Sequence, residues 1–293
     1  MEFLTNIANG QKNIEKIKSQ LFDVVKVPLV TNLHGFDAPN SFGSYRSTGG
    51  ASLGTVGADF TPTQPKLIFE EFVKSLGQTD ADFNKIQYQE LKGGKKIILS
   101  AELGNVGFQN LRGKQDELNA RVCLSTGFDG LTTSKVFIQY FRLVCSNGMK
   151  AWKTEFELGF KNTKGNIGKI NSMVNDIAKA TDKMEQFTEY IQLLDKKAVR
   201  TEDVEKFLLK AIGYNNAMYS ELGKVKSERL TAVNESIELE FSRTGATYWG
   251  LINGITHYTN HIAQTDNRDD YLLTGAGLKL NDTAQKLAFE MAF

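Results

Sequence analysis

The chain has little of what catalysis is usually built from. It holds three histidines and two cysteines in 293 residues. No nucleophile motif accompanies them, so a hydrolase reading has little footing. An excess of charge of one sign is missing too. Lys and Arg number 35 against 34 Asp and Glu, a net charge of +1. That balance excludes a chain-wide polyelectrolyte and confines any nucleic-acid affinity to a local patch. No apolar run approaches the roughly 20 residues of a membrane span, and the opening MEFLTNIANGQKNIEKIKSQ lacks the charged-then-apolar order of a secretion signal. The expectation is a bacterial host's cytoplasm and no membrane partner. Cys123 and Cys145 are then expected as reduced, buried thiols on neighbouring strands.

What is there is a strong β signal in the middle. Residues 118–152 read as two alternating strands around the turn Phe128-Asp129-Gly130, the second ending in a turn at Ser146-Asn147-Gly148. Val122, Leu124 and Phe128 alternate with Arg121, Cys123 and Gly127, and Val136, Ile138 and Tyr140 alternate in the return strand. Asp129 is read as shaping the turn. An earlier hairpin turns at Gly93-Gly94 between Ile86-Tyr88-Glu90 and Ile97-Leu99-Ala101, flanked by Lys92, Lys95 and Lys96. Together they make an antiparallel meander, with Thr154 to Phe160 as a candidate fifth strand.

Around the meander the pattern changes. Residues 3 to 22 have the apolar spacing of an amphipathic helix, read as a docking helix or oligomer contact. Residues 24 to 60 are rich in Gly, Ser, Asn and Pro between short β-type runs. Gly49, Gly50, Gly54 and Gly57 there serve turns and strand crossings, because no Lys-Ser/Thr pair follows to make a phosphate loop. Thr61 caps a helix with Pro62 in its first turn, Leu67, Ile68, Phe72 and Leu76 as its stripe, and Gly77 as its end.

From Gly165 the period is helical: a helix of roughly 30 residues, one opened by Thr201-Glu202-Asp203, and others near 214–240, 246–263 and 276–291. The fold class expected is therefore α+β. Residues 1–23 form an N-terminal amphipathic helix, 24–164 an antiparallel sheet region and 165–293 a helical region packed on the sheet as one compact unit.

Two constellations stand out as binding chemistry. The helix GATYWGLINGITHYTNHIAQ sets Gly250, Gly254, His257 and His261 on one face, and TGAGLKLN puts Gly275, Gly277 and Lys279 at a helix start where free N–H groups attract anions. His257, His261, Gly275, Gly277 and Lys279 are thus a candidate anion or nucleotide contact, with close helix packing as the competing explanation of the glycines. A metal held by His257 and His261 lacks the intervening Glu of a zinc-protease helix, and no cofactor is called for. The second constellation is basic. Lys92, Lys95, Lys96, Arg112, Lys114, Arg121, Lys135 and Arg142 lie on or beside the meander, with Tyr88, Tyr140 and Phe141 among them. Cations for phosphates and aromatics for bases are what single-strand binding requires.

Three blocks, NSFGSYRSTGGASLGTVGADFTPTQPKLIFEEF, LSTGFDGLTTSKVFIQYFRLVCSNGMKAW and ATYWGLINGITHYTNHIAQTDNRDDYLLTGAGLKLN, resemble the phage/plasmid-like protein family, a domain of unknown function (number 932). The resemblance covers nearly the whole chain after the first helix. It implies carriage on phages, plasmids or integrated elements, and brings no agreed activity and no catalytic residues. The element order of helix, meander and long helix is also that of phage single-strand annealing proteins, an analogy of fold alone. The expected function is nucleic-acid binding, single-stranded DNA foremost, by a homo-oligomer. The alternatives are a protein-interaction or structural phage module and, behind it, a nucleotide- or metal-using enzyme.

Overall fold

The computed structural model describes residues 2–31, 35–77, 79, 81–110, 112–113, 115–142, 147–150, 158–160, 186–212, 224–273 and 275–293. They belong to two compact units. The first comprises Met1–Gly104, Arg121–Ile138 and Lys153–Asp182, and the second Asn105–Ala120, Gln139–Trp152 and Lys183–Phe293. The class is α+β, as the alternation and helical periods predict.

In the first unit, helix α1 (Glu2–Gln20) docks within its own chain. Gly10, Ile14 and Ile17 recur at steps of four and three and are buried. Gly10 lets the helix backbone sit against Phe83. One helical turn on, the Asn13 amide donates to the carbonyls of Phe83 and Ile86, both at 3.0 Å. The helix is thereby bolted to the short 3-10 turn Phe83–Lys85.

Strands β1 (Val24–Val30), β2 (Asp37–Arg46) and β3 (Ser52–Gly57) follow as an antiparallel three-stranded sheet in the order β1-β2-β3. Gly49 and Gly50 hold the left-handed φ values of 81° and 65° that the β2–β3 turn needs. That is the turn role expected of them.

Helix α2 starts later than Thr61-Pro62 suggests. It runs Pro65–Leu76 with Gln64 as its N-cap. The physical reason is Pro65: its ring forces the preceding residue out of helical space, and Gln64 sits at φ −66°, ψ 135°. The Gln64 side chain makes no cap. Its amide nitrogen donates to the Val24 carbonyl and its amide oxygen accepts from the Val24 N–H, each at 2.9 Å. The buried stripe is Ile68, Phe69, Phe72 and Leu76, while Leu67 is exposed.

The meander is a six-stranded sheet: β4 (Gln87–Leu91), β5 (Lys96–Gln109), β6 (Gln115–Gly127), β7 (Ser134–Arg142) and β8 (Asn147–Lys150) in sequence order, with β9 (Leu158–Phe160) pairing β7 through Ser134↔Phe160. Asn147 and Gly148 open β8 rather than forming a turn. Val122, Cys123 and Leu124 are all 2% exposed or less, as are Ile97, Ile98 and Leu99. Both faces are covered here, and the polar residues that broke the apolar run are internally bonded: Thr126 and Ser134 share a 2.7 Å hydroxyl contact. Cys123 is buried, as expected; Cys145 lies outside the described residues.

The second unit carries the helices: one described over residues 186–196 (α3), α4 (Thr201–Ile212), α5 (Lys224–Thr244), α6 (Tyr248–His257), α7 (Arg268–Leu273) and α8 (Ala276–Ala292). Most of the expected 30-residue helix lies outside the described residues; within α3, Phe187, Ile191 and Leu194 are buried as its period predicts. Thr247 caps α6 by accepting the Gly250 N–H at 3.1 Å. Trp249, fully buried, directs its indole N–H at Asp116 at 3.4 Å. A Cβ at Gly254 would stand 2.6 Å from Ile237 Cα, and one at Gly250 2.6 Å from the Gly245 carbonyl oxygen. The two glycines are where α6 receives α5, the helix-packing role.

Candidate functional site

Leu91 and Ile97 are buried and fix the ends of the β4–β5 hairpin. Between them Lys92, Gly93 and Gly94 take left-handed φ values of 53°, 67° and 88°. Gly94 closes the turn by donating to the Leu91 carbonyl at 3.2 Å. Such a turn is ordinarily loose, but this one is clamped: the Phe128 N–H on the β6–β7 turn donates to the Lys95 carbonyl at 2.8 Å.

Phe22 meets Phe128 edge-on, with centroids 5.7 Å apart, and its ring lies within reach of Gly94. The Arg46 guanidinium lies 4.3 Å above the Phe22 ring and pairs with Glu90 at 2.8 Å; Glu90 also accepts the Tyr88 hydroxyl at 2.9 Å. Burial, with the Glu90 contact added, pushes the Tyr88 phenol well above its usual range. The tip therefore presents Lys92 and Lys95 exposed and Lys96 half-buried, on a base fixed by packing rather than by the turn alone. The three lysines and Arg46 outnumber Glu90 and, in the segment entering β1, Asp23.

The other basic residues fare differently. Lys135, second in β7, stands at the same end of the sheet, because the Phe128–Lys95 and Thr126–Ser134 bonds align these strand ends. Arg121 is committed to neighbours on its own sheet: it donates to Glu102 at 2.7 Å and to Gln87 at 3.4 Å. Lys85 joins the same carboxylate at 2.9 Å. Burial pushes the Glu102 carboxyl up, but the bonds from Lys85 and Arg121 outweigh it and hold it below the usual glutamate range.

Arg112 is exposed in the β5–β6 loop of the second unit, its N–H donating to the Asn110 side chain at 3.0 Å. Lys114 and the side chain of Arg142 lie outside the described residues. Tyr140 is a correction. It is 1% exposed and stacks on Phe187 at 3.9 Å with planes 14° apart, so its face is already occupied and offers no platform for a base.

The helical constellation also resolves into parts. His257 and His261 face each other with ring centroids 5.0 Å apart where α6 passes into the π-helical turn Tyr258–Ile262. His257 Nδ1 lies 3.2 Å from the Ser236 hydroxyl. Burial, then the neighbouring His261, pushes its pKa below the usual histidine value. Among the described residues no three metal-ligating side chains gather. Gly275 precedes α8, and a Cβ there would stand 3.0 Å from the Asp270 carbonyl oxygen; one at Gly277 would stand 2.6 Å from Tyr271 Cδ1. Packing of α7 accounts for both glycines. Lys279 is exposed on the first turns of α8.

Sequence reasoning passed over Arg46 and Phe22. Their signal, a basic residue beside a Gly-rich turn and an aromatic just after a helix, acquires meaning only once strands far apart in the chain are aligned. The family model described as Domain of unknown function (DUF932) matches residues 52–283, from β3 into α8, and the chain belongs to that family. No curated protein and no solved structure matches the chain. Among the described residues, no helix is long and apolar enough to cross a membrane.

Proposed function

We propose that the chain binds nucleic acid, single-stranded DNA foremost, through the lysine tip of the β4–β5 hairpin. The observation that supports this is the clamp: Lys92, Lys95 and Lys96 project from a turn whose Lys95 carbonyl is held by Phe128. Cations on a fixed base lose less freedom on meeting phosphates than cations on a mobile loop. The preference for single strands rests on Leu131, which is 89% exposed on the adjoining β6–β7 turn. An unstacked base has an apolar face to lay against such a side chain, whereas a base within a duplex does not. Annealing of complementary strands on a phage or plasmid element is the finer form of the same reading.

Fluorescence anisotropy with labelled single strands, duplex and RNA tests it, across a salt series and with oligomer size read in parallel. The single strand should bind most tightly. The triple change K92E/K95E/K96E should flatten the logarithmic salt dependence by about 2, the share of three phosphate contacts. Equal affinity in the triple variant removes the tip from the reading.

A protein-interaction role has its own support. On β1 the side chains of Val25, Val27 and Val30 are 41%, 39% and 59% exposed, and Phe36 beside them is 66% exposed. Apolar residues gathered on one surface suit a protein partner, a second copy included. Oligomer formation that is lost in V25T/V27T while DNA affinity persists would assign that surface to assembly.

A further inference from the structure

Helices α4 and α5 are separated by a cavity of about 660 Å3. That volume lies within the range of small-molecule sites. The space is not slack that the helices can take up. Helix α5 is seated on α6, with Ile237, itself part of the cavity wall, against Gly254, while α4 is tied to α8 and buries Phe207 completely. Closing the gap would break one of these seats.

The lining is apolar in its body: Val204 and Leu208 from α4 face Leu230 and Phe241 from α5. Its charge is of one sign. Among the described lining residues the charged groups are Glu205 on α4 and Glu238 on α5. The Asn234 amide donates to Glu238 at 2.9 Å, which orients that carboxylate and leaves it acceptor capacity. Glu205 has no ion-pair partner among the described residues. Both carboxylates are exposed, so they border the apolar walls on the solvent side; there they disfavour phosphate and carboxylate ligands and match a positive group carried on a hydrocarbon or aromatic body.

We propose that this cavity is a binding site for a small organic cation, a protonated amine held by Glu205 and Glu238 with its apolar part against Leu208, Leu230 and Phe241. The site is independent of the lysine tip, which has the opposite charge and lies in the first unit.

Titration calorimetry on the intact chain decides it, with three probes of one shape: phenylbutylammonium, phenylbutyrate and phenylbutanol. The ammonium should bind one per chain, and the carboxylate should not bind. E205Q/E238Q should weaken the ammonium about tenfold and leave the alcohol unchanged. L208W, which fills the cavity, should remove both, with its circular dichroism spectrum and cooperative unfolding checked alongside. Carboxylate binding as tight as the ammonium, ammonium binding that survives L208W in a folded protein, or no ammonium binding by the parent chain would each overturn the proposal.

Discussion

Gly54 on β3 rests on the backbone of Asp129 in the β6–β7 turn: a Cβ at position 54 would stand 2.8 Å from both the Asp129 Cα and its carbonyl oxygen. The turn itself is stiff. One Asp129 carboxylate oxygen accepts the N–H of Leu131 at 2.9 Å and that of Thr132 at 2.7 Å, and the other accepts the Thr132 hydroxyl at 2.8 Å. The three-stranded sheet and the central hairpin meet at a point where neither backbone has slack.

A side chain at position 54 is therefore expected to be costly. Gly54→Val should lower unfolding stability by about 2–3 kcal/mol, the range of an overpacked backbone contact. Gly57, on the same strand, has open space around it and no left-handed backbone. Gly57→Ala should lie within about 0.5 kcal/mol of the parent. Urea denaturation of the two variants reads the difference, and equal effects would show that the crossing is not tight.

The Glu102 carboxylate links acid sensitivity to the Lys85–Glu102–Arg121 network. Its folded pKa lies below the usual value, so the network's contribution is complete above about pH 4.3 and is lost as pH falls through the lower folded value. Thermal midpoints of the parent and Glu102→Gln should differ by a constant amount between about pH 5 and 7, the gap closing toward about pH 3. A gap that widens on acidification would reverse the assignment.

Cys123 is expected to be inert in the folded chain. Burial pushes its thiol up to about 12, against a weak opposing pull from Arg121. At about pH 8 iodoacetamide should modify Cys123 about a thousandfold faster in urea than in the native protein, following the thiolate fraction. Peptide mass mapping reads Cys123 separately from Cys145. Rapid native labelling would mean that β6 opens locally.

Much of this architecture was legible because the signals are local. Gly93-Gly94 and Asp129-Gly130 announce the two hairpins through turn chemistry confined to a few residues, and the 3.6-residue period of Val204, Phe207, Leu208 and Ile212 announces α4. What was not legible depends on partners distant in the chain. Thr61-Pro62 and Gln64-Pro65 compete as helix starts, and the second pair wins where Gln64 engages Val24, forty residues earlier.

Helix α7 escaped notice because its six residues include none that is buried, and so show no stripe. Alternation puts Tyr140 on one face of β7, yet only the stacking of Phe187 decides that this face is covered. The cavity is set by the distance between two well-patterned helices, which no periodicity encodes.

The amide of Gln64 has a further consequence for how copies of this chain meet. By bonding the outward N–H and carbonyl of Val24, it occupies the first free rung of an edge strand whose next outward positions are Lys26 and Pro28. Proline has no N–H to offer, and Lys26 spends its ammonium on the carbonyls of Ala58 and Phe60. The edge is thus blocked at its first and third rungs, and runaway strand addition, the route to fibrous aggregates, is closed at this end of the protein. On the β1 side, what this sheet offers another copy is its face over Val25 and Val27 rather than its backbone rungs, and a contact that is the same on both copies closes at two molecules.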